Sequence, residues 1–128
     1  MIFVKLFFSS LNDAIKNMAY TKMSFNDVMR AFLIDLTEVF PENGSIQSAR
    51  ESFEDIVSIN YKKPAHMFAE SMKPHVEKIM RDDDTVVDDM HFPGIDFKQL
   101  WNSDISDNTK NAIFSYLKQL LILAWQKN

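Results

Sequence analysis

The sequence predicts an all-α, compact single-domain bundle of about five helices, the fourth kinked near Pro74, over 1–128. Three observations predict it. Apolar residues recur at three- and four-residue steps through most of the chain, the signature of one helix face turned inward. Only two Gly and four Pro are present, too few for the hairpins of a β-protein. The apolar fraction is 46% with eleven Phe and eight Met, the opposite of the balance that keeps a chain disordered. At 128 residues such a chain buries about two-thirds of its unfolded surface.

The elements follow in order. Val4, Phe7, Phe8, Leu11, Ile15 and Met18 share one face of a first helix. Ser24 is placed to cap the second, whose stripe runs Phe25, Val28, Met29, Phe32, Leu33, Leu36, Val39 and Phe40 before Pro41 stops it. Asp27 adds negative charge to its first turn. Glu42-Asn43-Gly44 supplies a turn, and a third helix from about Ser45 to Asn60 carries Ile46, Ala49, Phe53, Ile56 and Val57 inward. Pro64 biases Lys63 away from helix and suits the first turn of the fourth, with Ala65, Phe68, Ala69, Met72, Val76, Ile79 and Met80 on its stripe. Pro74 falls half a turn from that stripe, which predicts a kink on the solvent side; two shorter helices meeting there is the competing reading. Arg81–Ser103 is irregular and acid-rich, with a short turn of helix at Phe97–Trp101. The fifth long helix spans Thr109–Trp125, capped by Ser106.

Charge and composition exclude several functions. The formal charge is −4, from 14 basic and 18 acidic residues. Residues 1–64 hold seven basic and eight acidic groups and residues 65–128 hold seven and ten, so the acidity concentrates in the second half. Lys62–Lys63 is the one basic doublet, which argues against direct binding of DNA or RNA. The absence of Cys excludes disulfides, thiolate nucleophiles and Cys-ligated zinc. Met1–Phe8 is apolar, but Lys5 interrupts it and no basic n-region or cleavage site follows, so secretion is not expected. The longest apolar run, Leu120–Trp125, falls far short of the roughly 20 residues of a membrane span.

The chemistry-bearing residues make few patterns. Asp82, Asp83, Asp84, Asp88 and Asp89, with His91 nearby, are the metal candidates, since carboxylates suit Mg²⁺, Mn²⁺ or Ca²⁺. Their spacing lacks the Gly and distal Glu of an EF-hand, and consecutive aspartates diverge, so a solvated loop is expected and no metal or other cofactor. His66 and Glu70 stand four apart on a helix, with Lys73 and Glu77 continuing that face. An acid–base couple and a face laced with ion pairs both fit, the second being the plainer. HExxH, GxSxG and P-loop patterns are absent. Asn43-Gly44-Ser45 matches a glycosylation sequon but reads as a turn.

"FLIDLTEVFPEN" at Phe32–Asn43, "IDFKQLW" at Ile95–Trp101 and "SDNTKNAIFSYLKQLLILAW" ending at Trp125 resemble small helical proteins encoded by large nucleocytoplasmic DNA viruses. The likeness covers about Phe32 to Trp125. It implies a viral, helical, non-enzymatic protein of the host cytoplasm or the virion, and it transfers no site residue.

Three functions stay open at this point. One is a protein–protein interaction module that binds a viral or host protein or a second copy of itself. Another is a metal-dependent enzyme or regulator using Asp82–Asp89, and the third an accessory protein of viral transcription or replication acting through a protein partner. For the first, the terminal helix offers a candidate surface. Ile113, Leu117, Leu120 and Ala124 already form a core stripe, and Phe114, Leu121 and Trp125 form a second, which either another helix or a partner covers.

Overall fold

The structure is a computed structural model, described here for residues 23–126. The helix expected over Val4–Met18 lies outside the described residues. Those residues are all-α, without a strand: α1 Phe25–Val39, α2 Gly44–Ile59, α3 Lys63–Met72, α4 Val76–Met80, α5 Phe97–Asn102 and α6 Asp107–Gln126. Phe92 and Ile95 form an isolated antiparallel bridge.

Local chemistry sets most boundaries. Ser24 caps α1 through a reciprocal pair, Asp27 N–H donating to Ser24 Oγ (3.1 Å) and Ser24 N–H to Asp27 Oδ2 (3.2 Å). The α1 helix ends at Val39, two residues before Pro41. Asn43 caps α2 by accepting from the backbone of Ser45 and Ile46, so the expected turn residue is also a cap. Pro64 sits in the first turn of α3. Asp96 caps α5 by accepting from Gln99 N–H (3.1 Å), and Ser106 does the same for α6 through Thr109 N–H (3.1 Å).

At Pro74 the α-helix gives way to a 3₁₀ turn, Lys73–His75, and resumes as α4. Three residues at 120° rather than 100° rotate the following turn by about 60°. The stripe shifts accordingly. Ile79 is fully buried, whereas Met80, expected on the core face, is 41% exposed.

One hydrophobic cluster runs through all these elements, and Phe32, Leu36, Phe53, Phe68, Met72, Leu117 and Leu120 belong to it as the spacing predicts. The α6 helix packs on α1, α3 and α4, while α2 packs on α1 and α3. A chain of rings links the layers. Phe32 meets Tyr116 (4.8 Å), Phe92 and Phe97 (6.2 Å each), and Trp101 meets Phe114 (6.1 Å). Phe92 pulls the irregular segment into the core. Gly94 makes the turn behind it, at φ +81°, where a Cβ would come within 3.2 Å of Ala49 Cβ.

Candidate binding groove

The acidic segment is consumed by its own fold. Asp82 adopts φ +57° just after α4, with Asp82 N–H donating to Ile79 O (3.2 Å) and Asp83 N–H to Lys78 O (2.9 Å), a Schellman end. Asp83 caps the 3₁₀ turn Asp84–Asp88, accepting from Thr85 N–H (3.1 Å) and Thr85 Oγ1 (2.7 Å). The Thr85 hydroxyl, then its backbone N–H, hold the Asp83 carboxyl below its ordinary range. Three of the other four carboxylates spread to different cations: Asp82 to Lys118 (2.9 Å), Asp89 to Lys78 (3.7 Å) and Asp88 to Lys98 (3.9 Å). Among the described residues no group of three or more acidic or His side chains is placed to hold a metal ion. The exposed His91 contributes only its backbone carbonyl, which accepts from Ser71 Oγ (2.7 Å).

His66 and Glu70 are both exposed on α3. The 3₁₀ turn displaces the residues that would continue their face, and Glu77 pairs with Arg81 (3.5 Å) instead of with that face.

The expected second stripe of α6 does not form a surface. Phe114 and Leu121 are 4% and 2% exposed within the chain's own core, and Trp125 alone is open to solvent. The physical reason is the central position of α6, which has helices on three sides and needs an apolar arc wider than a surface helix does.

One charged group enters that core. Asp35 of α1 is buried and accepts a hydrogen bond from the Tyr116 hydroxyl of α6. Burial first, and the Asp35 carboxylate second, push the Tyr116 phenol well above its ordinary range. Sequence reasoning passed over Asp35, although it stands seven residues after Val28 and three after Phe32, on the inward stripe.

Among the described residues an apolar groove lies instead between α2 and α3. A groove of about 100 Å³ has Met29, Leu33, Phe53, Phe68 and Met72 as its floor. Ala49, Ser52 and Ile56 form the α2 rim; Pro64, Met67 and Ser71 form the α3 rim; Phe92 and Pro93 close one end. On the far flank of α2, Arg30 grips Glu54 with two hydrogen bonds (2.7 and 2.9 Å), fixing α2 against α1. That pairing raises the Arg30 pKa and lowers that of Glu54, each first through the shared hydrogen bond.

Comparison of the chain with family models, curated proteins and solved structures finds no match.

No titratable side chain lines the groove. Among the described residues its only hydroxyls are those of Ser52 and Ser71, with no acidic, basic or His side chain in the lining to activate them, and its volume is well below the roughly 300–1,000 Å³ of a small-molecule cleft. It is suited to receiving one apolar side chain. At the open end, past Ile56 and Pro64, stands the α2–α3 corner, with Ile59 83% exposed and Tyr61 66% exposed. Asn26 Nδ2 donates to Tyr61 O (2.8 Å), which ties the corner to α1.

Proposed function

We propose that this protein is a virus-encoded helical interaction module that holds an apolar side chain of a protein partner in the α2–α3 groove and catalyses no reaction. The carrying observation is the groove itself: an apolar hollow, open along one side, with the flexible thioether of Met67 on its rim. Pockets of this size and character anchor the few residues that dominate a protein–protein interface. The viral origin, and residence in host cytoplasm or virion, rest on the sequence resemblance. No helix of the described residues is long and apolar enough to cross a membrane. An accessory role in viral transcription or replication would use the same groove and differ only in the partner's identity.

The reading is tested by affinity purification from infected cells with the wild-type chain and Met67→Glu. A carboxylate at the rim keeps its water in the free protein and would be desolvated without a partner when an apolar side chain fills the groove. A partner retained by wild type and lost by a folded Met67→Glu chain supports the groove; equal retention by both places the contact elsewhere.

A further inference from the structure

The α2–α3 corner joins two features that the groove alone does not explain. Lys62 and Lys63, both exposed, sit at its open end, and among the described residues neither forms an ion pair. Lys63 immediately precedes Pro64 of the rim and lies one helical turn before Met67. Ile59 continues the α2 rim, three residues after Ile56 and seven after Ser52. The groove therefore runs from a closed apolar end at Phe92-Pro93 to an open end that is apolar on α2 and basic on α3.

We infer that the partner segment is an amphipathic helix carrying one apolar anchor and an acidic side chain three or four residues from it. This inference rests on the interaction reading above and names the chemistry of its partner. Size selects the anchor. About 100 Å³, lined almost wholly by apolar side chains, suits a single branched apolar side chain. Charge selects the neighbour. The protein is acidic as a whole, yet its one basic doublet is exposed next to Pro64 of the groove rim, with Lys62 Nζ over the Tyr61 ring (5.9 Å) and neither lysine in an ion pair among the described residues. A carboxylate one turn from the anchor therefore reaches it, since residues three or four apart on a helix lie about 5–6 Å apart. Glu70, exposed on the same helix seven residues after Lys63, gives the opposite sign two turns further along. A cleft between two packed helices is the usual seat of an amphipathic helix, read through anchors at helical spacing.

The experiment is selection of a randomised helical-peptide display library on the full chain, followed by binding titration of the enriched peptides. The wild type is compared with Met67→Glu and with Lys62→Glu/Lys63→Glu, each checked for native circular dichroism. The expected result is peptides with one apolar anchor and Asp or Glu three or four residues away. Their affinity falls by about tenfold or more in the lysine variant, and exchanging the acid for Lys restores it there. Apolar anchors enriched with no acidic preference, and unaffected by the lysine variant, would overturn this inference and leave the groove reading standing. No enrichment, or binding indifferent to Met67→Glu, would overturn both. Groove occupation by a second copy, seen as a dimer in sedimentation that Met67→Glu dissolves, would also overturn the inference. So would binding to phosphatidylserine vesicles in place of peptides.

Discussion

The α6 and α2 helices are both amphipathic by sequence, yet they do opposite work. Ten of the twenty residues of α6 are buried, over a little more than half of the helix circumference. Two of the sixteen residues of α2, Ile46 and Phe53, are buried. The difference lies in neighbours. The α6 helix is wrapped by α1, α3 and α4, while α2 leans on α1 and α3 and leaves the side facing α3 partly open. An apolar residue on the central helix is committed to stability, whereas one on the peripheral helix is free to serve a partner.

Truncation on the central helix has the largest expected effect. Phe114→Ala should cost about 3–5 kcal/mol in urea unfolding, the range for a buried Phe whose cavity does not collapse. Phe32→Ala, fully buried against three rings, should match it. A loss below about 1 kcal/mol at Phe114 would mean that α6 has a surface where its core contact is drawn.

Next comes the bridge from α1 to α6. Tyr116→Phe removes the hydroxyl that donates to the buried Asp35 and should cost about 1–3 kcal/mol. Because the folded-state pKa of Tyr116 is raised above 10.0, its contribution is fully present below pH 10 and is lost as pH climbs towards the folded value. Unfolding free energy should therefore fall above pH 10 by about 1.4 kcal/mol per pH unit from this group. The Phe variant should lack that component. Equal slopes in the two proteins would show that the phenol ionises as easily folded as unfolded.

On the peripheral helix the effects shrink. Ile56→Ala should cost about 1 kcal/mol, because a half-buried side chain gives up only part of its transfer energy. The acidic segment should respond least to ligand. Thermal melts with chelator and with Mg²⁺, Mn²⁺ or Ca²⁺ at matched ionic strength should coincide, since its carboxylates already serve caps and separate ion pairs. A saturable rise abolished by Asp83→Asn would revive a metal role.

The fold was legible where local chemistry decides it. Ser24 with Asp27, Pro41, Pro64 and Ser106 mark boundaries from sequence alone, and the three- and four-residue spacing finds the shared core. Asp35 was passed over, although a carboxylate in register with an apolar stripe is a signal that spacing does carry. The groove was not legible. Spacing assigns Ala49 and Ile56 to the inward face of α2, and it says nothing about what stands opposite. The hollow is lined by Ala49 and Ser52 of α2 together with Pro64 and Ser71 of α3, residues that only the docking of the two helices brings together. Met80 escaped for a related reason, since a 3₁₀ turn changes helical phase without changing the count of residues. The wide apolar arc of α6 was visible, but whether a helix or a partner covers it depends on neighbours that spacing does not contain.

The division between the two helices is tested most directly by equilibrium urea unfolding of Met67→Glu beside Leu121→Glu. The groove rim admits a charge that keeps its water, so Met67→Glu should stay within about 1 kcal/mol of wild type. Leu121→Glu forces a carboxylate into the core and should cost more than about 4 kcal/mol or abolish folding. Equal, large losses in both variants would contradict the account, because the α2–α3 groove would then be core and not an open face.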